Sequence, residues 1–318
     1  MYRATAHART AAAFAALALL LAGCASAGPS TDPSNPAPDL LQALPTSAPT
    51  SVPPPSPTPT PTTTKKATPK AKPKPATARP PHRTRTASNP GDTPSAVSAD
   101  WKPAGGDEFN GGSLDTAKWG TYDSVGGFGN GLRRPEAISQ VDGNLRITAK
   151  GDTSGGMADS FGQLYGRWEF RARTDMGRGF GSAILLWPDS EKLDDGEIDI
   201  MEVPFEKRDL AHFVVHSGSG GNDLLGDSVP GDYSQWHTFA VEWLPDRITW
   251  YVDGKKQYEI TDKARIPTTP MHLTIQLDQG PKTDWILAPD DTTPPEINLD
   301  VDWVHVYAPA APVTAPPA

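Results

Sequence analysis

The chain has 318 residues, 29 Lys and Arg against 38 Asp and Glu, a net charge of −9, 35 prolines and one cysteine. One cysteine excludes an intramolecular disulfide framework, and of the charges only 19 Lys and Arg against 35 Asp and Glu lie in residues 99–318, which excludes nucleic acid as a natural partner of that part. The first hundred residues are too poor in large apolar side chains to build a core, so the length implies one folded domain.

Residues 1–23 place Arg3 and Arg9 before an Ala/Leu run, the layout of a signal peptide and too short for a comfortable transmembrane helix. The run ends in Leu21-Ala22-Gly23-Cys24, which resembles a bacterial lipoprotein signal. That resemblance implies a lipid on Cys24, anchoring the chain to a membrane at the cell surface. Cleavage after Ala25-Ser26-Ala27, releasing a secreted protein, is the alternative.

Residues 24–98 are mostly Pro, Thr, Ser and Ala, and Ala25 to Ser98 holds 19 of the 35 prolines. Such a segment is expected to be a disordered tether with polyproline II character, rising about 3.1 Å per residue. Its basic residues, among them Lys65, Lys66, Lys70, Lys72, Lys74, Arg79, Arg83 and Arg85, could touch anionic cell-wall polymer or simply be solvated.

From residue 99 to 308 the pattern changes to short alternating stretches separated by Gly, Asp, Asn and Pro, with no sustained helical period. This predicts an all-β fold, a sandwich of two antiparallel sheets of about ten strands. Gln163 to Arg173 reads as a strand with Trp168, Phe170 and Ala172 on one face and Arg167, Glu169, Arg171 and Arg173 on the other. Gly181 to Trp187 is apolar enough to be covered on both faces. Arg247 to Val252, Asp253-Gly254 and Lys255 to Ile260 read as a hairpin with a two-residue turn. Trp168, Trp243, Trp250 and Trp303 alternate as core residues. The tail, 309–318, is expected to fray.

The stretch with chemistry in it is Glu197-Ile198-Asp199-Ile200-Met201-Glu202. On a regular strand Glu197 and Asp199 share a face, but Glu202, five positions after Glu197, falls on the other. One extra residue, a β-bulge around Ile200 and Met201, would return all three acids to one side. Three such acids suit glycosidic hydrolysis by a carboxyl pair, a calcium site, or a merely solvated strand face. With the bulge absorbed, Glu197 and Glu202 stand about four strand steps, roughly 13 Å, apart along the backbone. Two glutamate arms can close that span to the roughly 5 Å needed for retention.

Several stretches carry a family resemblance: Asp107-Glu108-Phe109-Asn110-Gly111, Tyr165-Gly166-Arg167-Trp168-Glu169, the acid stretch itself, Val215-His216, Trp236-His237 through Gly254, and Val301 to Tyr307. In content and order, residues of about 103 to 308 resemble glycoside hydrolase family 16, the laminarinase and lichenase-like enzymes. The resemblance implies a concanavalin-like β-jelly roll and a retaining endo-glycosidase acting on a β-linked polysaccharide, a β-1,3- or β-1,3-1,4-glucan, with no organic cofactor. A transglycosylase of the same fold and a non-catalytic glycan-binding module are the rival readings.

It further implies Glu197 as nucleophile, Asp199 as assisting acid, Glu202 as general acid/base and His216 beside them. Glu108 and Asp302 match positions that often hold a structural calcium ion. Aromatic platforms for sugar rings are expected among Trp187, Trp119, Phe180, Trp236, Trp285 and Tyr165, with Gln276 also at the substrate. Leu185 and Gln276 depart from the family, which often has tryptophan and asparagine there.

Overall fold

The structure is a computed structural model that describes residues 98–313. Cys24, the signal-peptide segment, the tether up to residue 97 and the last five residues of the tail lie outside the described residues.

The strands in chain order are β1 (Trp101–Asp107), β2 (Trp119–Thr121), β3 (Ser124–Val125), β4 (Leu132–Arg133), β5 (Ile138–Val141), β6 (Asn144–Ala149), β7 (Thr153–Gln163), β8 (Gly166–Thr174), β9 (Phe180–Pro188), β10 (Glu197–Val203), β11 (Leu210–Ser217), β12 (Asp223–Pro230), β13 (His237–Leu244), β14 (Arg247–Val252), β15 (Lys255–Ile260), β16 (Met271–Gln279) and β17 (Ile297–Pro309). They form two sheets. The back sheet runs β15-β14-β13-β8-β17-β6-β5 with β1 on β17, and the front sheet runs β12-β11-β10-β9-β16-β7-β4-β3 with β2 on β7. The fold is therefore the all-β jelly-roll sandwich that the alternation implies.

Alternation explains most strands. Leu145, Ile147 and Ala149 of β6 point into the core, and their neighbours Asn144, Arg146 and Thr148 are only partly buried. The Asp253-Gly254 turn has φ of 50° and 72°, the positive pair that a type I′ hairpin needs. One expected strand is divided: a turn at Leu164-Tyr165, with Tyr165 at φ 60°, separates β7 from β8. The eleven-residue β7 is rich in small residues, Thr-Ser-Gly-Gly-Met-Ala-Asp-Ser, and carries little strand signal of its own.

Between the sheets, Ile198, Ile200, Met201, Phe213, Leu186 and Leu273 of the front meet Trp168, Phe170, Phe239, Trp243 and Trp250 of the back. Phe213 and Trp250 stack across the interface, with centroids 6.3 Å apart. Trp303 departs from the expected alternation. A bulge between Val301 and Trp303 turns it toward Arg171, and it lies buried in a polar outer layer, stacked on His305 at 4.6 Å.

Candidate active site

The acid strand β10 is bulged. Against β9, Asp199 pairs with Leu185 and Met201 with Ile184, so Ile200 is the extra residue. Ile198, Ile200, Met201 and Val203 all join the core. The two successive core-facing residues, Ile200 and Met201, restore the parity that leaves Glu197, Asp199 and Glu202 together on the outer face of the front sheet. Trp250 reaches through the core from the back sheet and donates its indole N–H to the Asp199 carbonyl at 2.8 Å, next to the point where the ladder is interrupted. Gly196, just before Glu197, has φ 100°, and a Cβ there would lie 2.7 Å from Pro267, so the entry to the strand admits only glycine.

His216 lies across from Glu197 on β11, with Nε2 3.1 Å from Asp199. Its Nδ1 is 3.3 Å from the Gly221 carbonyl, which can only accept, so Nδ1 is assigned the proton. In the neutral ring Nε2 is then an acceptor, and a proton on Asp199 satisfies it. Asp199 also shares a hydrogen bond with Glu197. The order Glu197, Asp199, His216 is thus a relay in which one proton resides on Asp199 or on Glu197. With the proton on Asp199, Glu197 is a carboxylate.

The electrostatics follow from crowding. Burial, and then the Asp199 charge, push Glu197 from an ordinary 4.5 up to about 8. Burial drives Asp199 upward. Glu202 is held well above the usual carboxylate range by burial first and then by the charges of Asp199 and Glu197. The three acids cannot all ionise near neutral pH, so at least one is a proton donor while another is an anion. Their titrations belong to the cluster rather than to single residues.

Around Glu202 the structure brings together residues from distant parts of the chain. Its partner across β11 is His212, which is buried and pushed down to about 4 by desolvation, so it is neutral. The Trp285 ring lies 4.4 Å from His212 and 5.7 Å from Phe205. His212 was discoverable from parity, since residues 212, 214 and 216 share a face of β11. Arg208 was hidden in the charged run Glu206-Lys207-Arg208-Asp209. It is fully buried at φ 53° and donates to the carbonyls of Val203, Pro204, Phe205, Phe180 and Asp175, locking the β10–β11 loop that carries Phe205.

Of the expected sugar platforms, Trp187 is partly exposed at the end of β9, with Nε1 2.9 Å from Glu191. Gln276 lies on β16 opposite Ala183, and its Oε1 accepts from Arg133 at 2.9 Å. Arg133 also pairs with Asp278 and lies over the Tyr122 ring at 5.2 Å. Trp119 and Phe180 do not serve. Trp119 is 1% exposed, packs on Phe109 and donates to Asp107, and Phe180 is 2% exposed within the core. Tyr165 is likewise buried against Trp243, and Trp236 stacks under Arg171 and Arg173 of the back sheet.

The carboxylates suggested for calcium, Glu108 and Asp302, are matched with His305 at 2.6 Å and Arg171 at 2.7 Å. Carboxylates so compensated do not fit a shared calcium site. Among the described residues, the group of three metal-capable side chains with ligand atoms all within 4.8 Å is Glu197, Asp199 and His216, which is the relay itself.

Comparison with known proteins agrees with this geometry: residues 130–305 match the profile of Glycosyl hydrolases family 16. The chain belongs to that family. As a family 16 member it is a glycoside hydrolase. It is 31% identical over 247 residues to a "Beta-glucanase" of Rhodothermus marinus, covering 65% of this chain and 85% of that one. It is 30% identical over 255 residues to "Glucan endo-1,3-beta-glucosidase A1" of Niallia circulans, covering 63% of this chain and 37% of that larger protein. Among solved structures, the laminarinase from Rhodothermus marinus superposes with a TM-score of 0.58 at 28% identity, covering 65% of this chain and 97% of that one.

Proposed function

We propose that this family 16 member is a retaining endo-glycosidase that cuts a β-1,3- or mixed-linkage β-1,3-1,4-glucan. The observation that carries the reading is the bulged β10, which gathers half-buried Glu197 and Glu202 and buried Asp199 on the outer face of the front sheet with too little room for three negative charges. The glucanase names of its relatives support the substrate class.

Glu197, ionised when the relay proton sits on Asp199, attacks the anomeric carbon. As the C–O bond breaks, its electron pair goes to the leaving oxygen, which takes the proton of Glu202. A glycosyl ester on Glu197 results. Glu202, now a carboxylate, takes a proton from water as the water oxygen attacks the anomeric carbon from the side the leaving group vacated, opposite Glu197. The ester bond to Glu197 breaks with its electron pair returning to the carboxylate. Two inversions give net retention. Asp199 hydrogen-bonds the nucleophile throughout, and His216 supports the protonated form of Asp199.

Export to the cell surface on a lipid attached to Cys24 belongs to the same proposal, supported by Leu21-Ala22-Gly23-Cys24 and the proline-rich stretch that follows.

The test is to incubate the protein with laminarin, lichenan, agarose and carrageenan and to measure new reducing ends. The expected result is release from laminarin or lichenan that Glu197→Gln abolishes. Equal background release by both proteins on every glycan would overturn the reading.

A further inference from the structure

An amide side chain is ambiguous to a ligand. It carries an acceptor at one end and a donor at the other, and rotation about its last bond exchanges them. On the outer face of the front sheet, Gln276 has lost that freedom.

Residues 272, 274, 276 and 278 of β16 point outward, because Leu273, Ile275 and Leu277 fill the core. Thr274 and Asp278 are buried there, and Gln276 between them stays partly open. Cross-strand pairing puts it in line with the acid: Gln276 pairs with Ala183 of β9, and Ala183 with Glu202 of β10. Two strand spacings, roughly 10 Å, separate Gln276 from Glu202. The partly open Ala183 between them is too small to fill the gap. Glu202 and Gln276 are thus facing walls of one groove.

The amide is fixed from behind. Arg133 divides the two hydrogens of its Nη2, one to Gln276 Oε1 at 2.9 Å and one to Asp278 Oδ2, while its Nε donates to Asp278 Oδ1 at 2.8 Å. The ion pair is nearly sealed, its side chains 13% and 3% exposed. Gly127 closes over it: the N–H donates to Asp278 Oδ1 at 3.1 Å, and a Cβ there would come 2.6 Å from Arg133 Nη2. Tyr122 braces the guanidinium at 5.2 Å from its ring centroid. That ring rests on Gly156, the neighbour of Gln276 on β7, where a Cβ would lie 2.5 Å from it.

A guanidinium only donates. The end of Gln276 that meets Arg133 is therefore the carbonyl oxygen, and Nε2 with both its hydrogens is turned away. Among the described residues none accepts a hydrogen bond from Nε2.

Resting on the reading of Glu197 and Glu202 as the catalytic pair, we propose that Arg133 is a positioning residue. It aims Gln276 as a pure donor at an oxygen of the sugar bound beside Glu202, a specificity contact for a neutral glucan. The entropy of orienting the amide is spent when the chain folds and not when the sugar binds. Asp278 cancels the charge of Arg133, so the groove receives N–H donors without a cation. A free guanidinium there would favour ionised Glu202 and drive its proton off, and it would draw sulfated or carboxylated glycans. A neutral amide does neither.

The test is a double-mutant cycle. Gln276→Leu removes the donor, Arg133→Met removes what aims it, and the two are combined. KM and kcat on the β-glucan that the wild type cleaves, and Tm, are measured for all four proteins. Gln276→Leu should raise KM about three- to tenfold, the size of one neutral hydrogen bond, with kcat within about twofold, as for a contact made equally in ground and transition states. Arg133→Met should raise KM about two- to fourfold, since the amide is then free to turn. The double variant should match Gln276→Leu within about twofold, because Arg133 acts only through the amide. An unchanged KM in Gln276→Leu, or losses that multiply in the double variant, would overturn the proposal. Arg133→Met leaves Asp278 buried and unpaired, which lowers Tm, so the cycle is repeated with Asp278→Asn, where no charge is stranded. Coupling that vanishes in that background shows a stability effect only and also overturns the proposal. A wild type inactive on every glycan overturns the catalytic reading and this proposal together, whereas an active wild type with no coupling between positions 133 and 276 overturns this proposal alone.

Discussion

Three carboxyl groups held within reach of one another carry a folding cost that rises with pH, and Glu197→Gln should relieve part of it. Glu197 ionises near 4.5 in an unfolded chain and near about 8 in the folded one. Between those values the native state holds a proton that the unfolded state has released, so stability falls as pH rises. At ~1.4 kcal/mol per pH unit, the interval sets a ceiling of roughly 5 kcal/mol at pH 8. Coupling to Asp199 and partial solvent access reduce it, and about 2 kcal/mol is a reasonable expectation.

Glutamine keeps the shape, donates to Asp199 and carries no charge. The variant should therefore match the wild type near pH 4.5 and exceed it at pH 8 by about 2 kcal/mol. For a domain of this size that is a rise of roughly 4–8 °C in Tm. Thermal unfolding of both proteins across that pH range, with urea titrations at the two ends, measures the difference. A constant gap between the two proteins from pH 4.5 to 8, or a variant less stable at the alkaline end, would refute the reasoning. The same substitution that abolishes turnover is thus expected to stabilise the fold.

Three further outcomes follow from the packing. Arg208→Met leaves several buried carbonyls without their donor and should cost over ~3 kcal/mol, read as a lower urea midpoint together with faster proteolytic nicking within residues 203–209. Trp119→Ala should cost about 3–5 kcal/mol of stability with KM for the glucan unchanged in the folded protein, whereas Trp187→Ala should raise KM severalfold and leave Tm within about 2 °C of wild type.

Much of the acid strand was legible in the sequence because side-chain parity is a hard constraint. Three acids five residues apart required either a bulge or the burial of Glu202, and the bulge is there at Ile200. The Asp253-Gly254 hairpin was legible for the same kind of reason, since few residues tolerate its backbone. What escaped reading was set by distance along the chain. Trp119 sits in a three-residue strand among polar neighbours, and only the fold shows Phe109 and Asp107 closing over it. Trp285 meets Phe205 and His212 from a segment some seventy to eighty residues further along the chain, and local pattern holds no information about such a meeting. β7 was lost because its glycines and other small residues serve close approach rather than hydrophobic contact, as at Gly156, where a Cβ would strike Tyr122.

The bulge gives β10 different lengths on its two sides. Outward, it presents Glu197, Asp199 and Glu202; inward, it presents Ile198, Ile200, Met201 and Val203, with Trp250 gripping the Asp199 carbonyl from the far sheet. Glu197 and Asp199 lie on one side of that grip and Glu202 on the other, so the distance between nucleophile and acid is adjusted from the interior. A methylene gained or lost at Ile200 or Met201 acts as a shim under Glu202 alone, whereas the same change at Ile198 lies under the nucleophile's half. The separation of the two catalytic carboxyls is in this sense a property of the hydrophobic core, open to variation without any change in the residues that meet the sugar.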